Sequence, residues 1–350
     1  MKYNDLKKIL FKFNPETAHY MAELALRSSA IFPGALSFVA NKCVYNDEIL
    51  YQKLFDTTFY NPVGIAGGFD KNATMIAPLA ALGFGFIEYG TMTPIAQPGN
   101  PKPRLFRLVK EESIQNHMGF NNDGAQAIKK RVQKIYPFTI PLVANIGKNK
   151  DTKNEDAIKD YSYLLKEFDT LCDLFVINVS SPNTQNLRAL QEEGFIKEFF
   201  SSAKEITKKP ILFKIAPDMT IDEALKICQV AVNCGASGLI INNTSNDYSL
   251  VKNDIKKGGI SGKLITKLSR ELFFELSKEF FGKTTLISSG GIDNAKEAYE
   301  RIRMGASLVQ IYTAFIFKGP TISYDINKEL ASLLRADGFT SLSSAVGVDL

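Results

Sequence analysis

Tryptophan is absent from this 350-residue chain, and histidine occurs only twice, at His19 and His117. Two histidines so far apart exclude a histidine-rich metal site and leave a Ser-His triad short of a base. No metal is expected. Cysteine is also scarce: Cys43, Cys172, Cys228 and Cys234 show no CxxC spacing and sit mostly in apolar runs. That usage reads as reduced, buried thiols of a cytosolic protein. Net charge is only +5, from 42 Lys plus Arg against 37 Asp plus Glu, too mild and scattered to indicate nucleic acid. No apolar run approaches the roughly 20 residues of a membrane-spanning helix, and no signal-peptide pattern opens the chain. A protein neither secreted nor membrane-spanning is expected. No Walker loop and no acidic pair for glycoside chemistry stand out. What remains is an ordinary soluble composition, 45% hydrophobic and 23% charged, long enough for one large α/β barrel or two smaller domains.

The most informative stretch is Phe175-Val-Ile-Asn-Val-Ser-Ser-Pro-Asn183. A continuous apolar run, Leu174 to Ile177, reads as a strand covered on both faces. It delivers Asn178, Ser180, Ser181, Pro182 and Asn183 at its end. An amide, a hydroxyl and a second amide so close together can hold a planar ligand and move one proton.

Similar β-prone runs occur at Val63–Ala66, Phe84–Tyr89, Pro141–Ile146, Leu174–Val179, Ile211–Ile215, Gly238–Ile241, Thr285–Ile287 and Leu308–Ile311. Helical patterns separate most of them, at Ala73–Leu82, Asp156–Phe168, Phe195–Thr207, Ile221–Asn233, Lys263–Phe280 and Asn294–Met304. The alternation predicts a (β/α)8 barrel; a doubly wound open sheet is the alternative, but needs fewer units. The interval from Pro94 to about Asp123, with Arg104–Val109 and Ser113–Asn116, reads as a β-hairpin excursion over the mouth. Tyr248–Ser261 has the composition of a mobile lid.

Residues 1–45 differ from the rest. Leu6, Ile9, Leu10 and Phe13 recur at helical spacing among Lys7, Lys8 and Lys12, and Pro15-Glu16 opens a second helical pattern. A third apolar cluster surrounds Pro33-Gly34. Two amphipathic helices with a basic flank could lie on a membrane surface, or simply cap one end of the main domain.

Nearly every β run ends in a ligand-suited group: Gly67 to Lys71, Thr91, Asn145, Asn178 with Ser181 and Asn183, Lys214, Asn242 to Thr244, Gly290-Gly291, and Tyr312-Thr313. In a barrel these ends share one mouth. Lys71 and Lys214 would need an anion or a desolvated role there. The asparagines suit an amide-rich heterocycle, and the late glycines suit a phosphate.

In order and spacing, seven motifs resemble the dihydroorotate dehydrogenases: Ala66-Gly-Gly-Phe-Asp-Lys71, Lys102-Pro-Arg-Leu-Phe-Arg107, Asn116-His-Met-Gly-Phe-Asn-Asn122, Asn145-Ile-Gly-Lys-Asn-Lys150, Ser180-Ser-Pro-Asn183, Lys214-Ile-Ala-Pro-Asp218 and Gly290-Gly-Ile292. The N-terminal helices and a serine at the base position look like class 2, the quinone-reducing branch. The resemblance implies an FMN enzyme that oxidises dihydroorotate to orotate in pyrimidine synthesis and passes electrons to a membrane quinone. It implies a peripheral monomer at the cytoplasmic side of the membrane, with residues 1–45 forming the quinone tunnel and 46–350 the catalytic barrel. By the same resemblance, FMN would meet Ala66, Gly67, Gly68, Phe69, Asp70, Thr91, Asn145, Asn178, Lys214 and Asn242, with its phosphate at Gly262, Gly291, Tyr312 and Thr313. Substrate would meet Lys71, Asn116, His117, Met118, Gly119, Phe120, Asn178, Asn183, Asn243 and Thr244. Ser181 would be the base, and His19 would line the tunnel; no relay residue is identifiable in the sequence beyond Thr184 or a water chain through the loop as candidates. Gly67 departs from the alanine common in the family, Asn242 from threonine, and Ser289 from a small apolar residue. The competing readings are a soluble fumarate-using relative and a flavin-free barrel with Lys71 or Lys214 as Schiff base.

Overall fold

All eight expected β runs form strands, and together they close into a parallel barrel. The computed structural model describes residues 3–32 and 34–350, so Pro33 lies outside the described residues. The strands are β1 (Val63–Asp70), β2 (Phe86–Met92), β3 (Leu142–Ile146), β4 (Leu174–Asn178), β5 (Ile211–Lys214), β6 (Gly238–Ile241), β7 (Thr285–Ser289) and β8 (Leu308–Ile311). Closure comes where β8 pairs with β1, Val309 opposite Val63 and Ile311 opposite Ile65. Helices follow most strands at nearly the expected positions. Ile221–Asn233 opens on a reciprocal cap between Thr220 and Glu223. Ala157–Phe168 turns Tyr161, Leu164, Leu165 and Phe168 into the core.

The two-residue period of a strand sorts each barrel side chain inward or outward. Phe175 and Ile177 of β4 pack outward against the helices, whereas Leu174 and Val176 point inward. The inward lower layer is apolar throughout: Phe86, Val143, Leu174, Val176, Leu212, Ile240, Ile287 and Leu308. Two residues further along on six of the strands, the same inward register carries Glu88, Asn145, Asn178, Lys214, Asn242 and Gln310. The barrel is thus oily at its base and polar at its mouth. Gly64 is part of the lower packing, because a Cβ there would lie 2.2 Å from the Phe86 ring.

A small hairpin, Gln52–Leu54 with Thr57–Phe59, was not anticipated. It closes the base by inserting Phe59 into the lower layer, edge-on to Phe86 at 5.7 Å.

The N-terminal segment holds three helices rather than two: α1 (Tyr3–Leu10), α2 (Pro15–Ser29) and α3 (Ala35–Cys43). Asn14 caps α2 and Pro15 occupies its first turn, so this boundary was readable in sequence. Tyr3 Oη donates to Ile316 O at 2.6 Å, and Lys7 Nζ to Phe317 O at 3.0 Å, which ties α1 to a helix beginning at the mouth. Leu6, Ile9, Tyr20, Leu24 and Phe38 remain exposed on these helices, as do Ile31 and Phe32 between α2 and α3.

The expected hairpin forms at Leu105–Leu108 and Ser113–Asn116, but it gains a third strand, Gly259–Gly262, from the segment read as a lid. Gln115 Nε2 donates to Ile255 O and Lys257 O, so backbone pairing and this side chain pin the segment to the hairpin, while Tyr248 Oη donates to Gly258 O within it. Composition could show its polarity but not its partner.

Phe59 is 1% exposed, and its truncation would leave a cavity at the barrel base. Phe59→Ala should lower unfolding free energy by about 3–5 kcal/mol in denaturant titration, and a loss under about 1 kcal/mol would reject the plug role.

Candidate active site

Glu88 is fully buried in the upper layer of the barrel and organises the floor of the mouth. Lys214 Nζ donates to its Oε1 at 3.1 Å, Gln310 Nε2 to its Oε2 at 2.5 Å, and Asn145 Nδ2 to Oε1. A buried carboxylate is tolerated only when paired and hydrogen-bonded, and these three donors meet that requirement. Directly above, an added Cβ on Gly67 would lie 2.3 Å from Glu88 Oε1 and 2.7 Å from Asn145 Nδ2. Glycine at position 67 is therefore matched to this carboxylate–amide pair.

A second amide layer continues from the floor. Asn178 Nδ2 donates to Thr91 Oγ1 at 2.8 Å and more weakly to Asn145 Oδ1 at 3.4 Å. Asn243 Nδ2 donates to Ser180 Oγ at 2.9 Å, and the Asn243 carbonyl accepts from Thr244 N at 2.8 Å. Ser180 is thereby committed to the scaffold, while its neighbour Ser181 lines the cleft. Ser181 Oγ accepts from Asn183 N at 3.3 Å. The hydroxyls of Thr184 and Thr244 are buried and have no partner among the described residues.

Arg188 holds this loop cluster together. Its guanidinium donates to Ser180 O at 2.9 Å, Thr244 O at 2.8 Å and Asp218 Oδ2 at 2.7 Å. It joins the turns that leave β4, β5 and β6.

The opposite wall comes from the hairpin and its approach. Asn183 Nδ2 donates to Asn116 Oδ1 at 2.7 Å, and Asn100 Nδ2 to Asn183 O at 2.9 Å. Gly119 and Phe120 both have left-handed backbone, φ +73° and +51°, which brings the turn against the cleft. Lys71 donates to Gly68 O at 2.7 Å at the edge of the mouth. Burial, and next the charge of Arg104, pulls its ammonium down to about 8. The cleft that these walls bound opens to solvent at its mouth.

A family model for dihydroorotate dehydrogenase matches residues 49–334. The chain belongs to the dihydroorotate dehydrogenase family. It is 56% identical, over the whole of both chains, to the dihydroorotate dehydrogenase (quinone) of Nitratiruptor sp.. It is 47% identical to that of Helicobacter acinonychis, again over the full length of each. The crystal structure of Eimeria tenella DHODH in complex with ferulenol superposes with a TM-score of 0.83 at 34% identity, covering 96% of this chain and 95% of that one. The family is one of oxidoreductases.

Most residues expected at a dihydroorotate dehydrogenase site line one cleft: Ala66, Gly67, Gly68, Lys71, Thr91, Asn116, Met118, Gly119, Phe120, Asn178, Ser181, Asn183, Lys214, Asn242, Asn243, Thr244, Gly262, Gly291, Tyr312 and Thr313. Four stand behind its wall. Asn145 lies below the surface layer, against Glu88. His117 packs beside Asn183, its Nδ1 3.4 Å from Oδ1. Asp70 turns away to accept from Thr74 N and Met75 N, both at 2.8 Å. Phe69 sits between His19 and Tyr312, ring centres 5.3 and 5.4 Å away. His19 itself is half-buried, and burial followed by the Lys71 charge pulls its imidazolium down to about 3, so the ring is neutral near pH 7.

The sequence reading missed Glu88, Gln310 and Arg188. Glu88 left one signal, an acidic residue inside an apolar strand run; Arg188 left none.

Breaking one side of a buried ion pair costs about 3–5 kcal/mol, whereas replacing both partners costs much less. Glu88→Gln should therefore destabilise the chain in denaturant melts, and Glu88→Gln with Lys214→Met should recover most of that loss. An additive double mutant would show that the two charges do not act as a pair.

Proposed function

We propose that this chain oxidises dihydroorotate to orotate and passes the electrons to a quinone, with FMN as its resident cofactor. The observation that carries the reading is Ser181, a cleft-lining hydroxyl facing a wall of amides above a buried lysine. The cleft fits a flavin mononucleotide: its floor is amide-rich, and its Gly262 and Gly291 have left-handed backbone, φ +93° and +77°. Ala66, Gly67, Thr91, Asn178 and Lys214 would hold the ring, with Asn145 supporting them from below. Gly262, Gly291, Tyr312 and Thr313 would hold the phosphate. FMN, when bound, supplies the acceptor for the hydride that leaves C6 of the substrate.

The chain's own residues bind, orient and deprotonate. Lys71 pairs with the substrate carboxylate, and Asn116, Asn183 and Asn243 meet the ring amides. Ser181 Oγ takes the C5 proton, so that loss of proton and hydride leaves the new double bond. A serine hydroxyl has to hand that proton on. Thr184, three residues away on the same loop with a buried, unpartnered hydroxyl, is the natural next carrier.

The quinone reading is supported by the N-terminal helices. His19 of α2, Phe69 of β1 and Tyr312 at the cleft form an unbroken aromatic contact line from the helices to the mouth. The exposed apolar residues of α1 to α3 suit a membrane surface, from which a lipid-soluble quinone would come. No helix among the described residues is long and apolar enough to cross a membrane. Contact would therefore be peripheral, through residues 1–45.

Anaerobic dihydroorotate should bleach the flavin absorbance of the purified protein, and a quinone, but not fumarate, should restore it. Ser181→Ala should keep its flavin yet reduce it at least about 10²-fold more slowly. A colourless protein able to fold and be refilled by no flavin would defeat the reading, and wild-type-like reduction in Ser181→Ala would remove the base.

Because Lys71 is charged below about 8 and loses its proton above, orotate affinity should be flat at lower pH and fall as pH rises past that value. The fall approaches about tenfold per unit. An orotate Kd unchanged between pH 7 and 9.5, followed by flavin absorbance, would reject binding through a Lys71 whose pKa burial has lowered.

A further inference from the structure

Arg301 lies on the inner face of the helix Ala295–Arg303 and has no exposed surface. A guanidinium taken out of water costs several kcal/mol unless it is paired and its donors are satisfied. Here every N–H has an acceptor. Nε donates to Glu297 Oε1 at 2.7 Å, and one terminal nitrogen to Ser288 Oγ at 2.9 Å and Ser269 Oγ at 3.1 Å. The other donates to Thr266 O at 3.1 Å and, more weakly, to Gly290 O at 3.4 Å.

These acceptors surround the end of β7 and the glycine turn that leaves it, Ser288 to Gly291. Arg301 holds Ser288 and Gly290 directly. Ser269 Oγ, itself bonded to Arg301, donates to Ser289 O at 2.8 Å, and Thr266 Oγ1 donates to Gly291 O at 3.0 Å. The fit leaves no slack, since a Cβ on Gly291 would lie 2.4 Å from Thr266 Oγ1. Ser289, Gly290 and Gly291 line the cleft on their other side, whereas Arg301 does not reach it. A buried cation this fully engaged, with all its bonds spent behind a glycine turn, serves the shape of that turn.

We infer that Arg301 is a positioning residue for the phosphate end of the cofactor site, holding Ser288–Gly291 in the form that meets a phosphate. The inference rests on the FMN reading above. Its role is mechanical: it fixes backbone, and the backbone meets the anion.

The test uses two flavins that share the ring and differ in the phosphate. Full-length protein stripped of flavin is titrated with FMN and with riboflavin, following fluorescence quenching. Wild type should prefer FMN. Arg301→Met should lose about tenfold or more in FMN affinity, with riboflavin affinity within about twofold of wild type. Arg301→Lys, which keeps the charge and three donors, should fall between. If Arg301→Met does not fold, Ser288→Ala removes a single acceptor and should shift the FMN-to-riboflavin ratio the same way by a smaller factor. Equal loss for both flavins, or an unchanged ratio, overturns the inference. Wild-type protein that binds neither flavin overturns the cofactor assignment instead.

Discussion

A carboxylate with no exposed surface imposes conditions on everything around it, and Glu88 imposes them on the barrel mouth. Its two oxygens take Lys214, Asn145 and Gln310, drawn from β5, β3 and β8. Those side chains cannot move independently without stranding a charge in a low-dielectric interior. The glycine at position 67 follows from the same constraint, because no Cβ fits over the pair. A polar floor is thereby fixed on top of an apolar base, with one inward register of each strand supplying both layers.

Above that floor the site is assembled from loops, and loops need external restraint to hold a geometry. Arg188 supplies it for the turns after β4, β5 and β6, and Arg301 for the turn after β7. On the far wall Arg104 is almost fully buried and donates to Glu16 of α2 at 2.6 Å while also holding Pro98 O and Asn100 O. That guanidinium couples the N-terminal helices to the segment that carries Asn100 and, beyond it, Asn183. The three arginines share a logic: a rigid planar fork spans several backbone acceptors at once, which a lysine ammonium does less well.

The same N-terminal helices bring a neutral imidazole, His19, within reach of the aromatic line that ends at Tyr312. Because burial keeps that ring uncharged, it packs as an aromatic rather than as a cation opposing Lys71. The apolar residues left exposed on α1 to α3 lie on the side of these helices that faces away from the barrel. A surface that a globular domain would ordinarily bury is thus left open on these helices.

The barrel itself was legible in the amino-acid order, since strands and helices have different hydrophobic periods and eight apolar runs alternated with helical ones. The polar strand ends, the Ser180-Ser-Pro-Asn183 turn and the Asn14-Pro15 helix start were likewise written locally. Glu88 was visible only as an oddity, because its partners lie 126 and 222 residues away and share its layer solely through the barrel register. Arg301 read as an ordinary helix-face cation until the fold turned it inward, and Arg188 left no local signal. The third strand at Gly259–Gly262 looked like a polar lid because its pairing partner, Ser113–Asn116, is far off in the chain. Local sequence determined which elements form and which residues end them, through backbone sterics and hydrophobic period. Tertiary structure alone decided which charges are buried and with whom, because burial and pairing are properties of closure and not of any one segment.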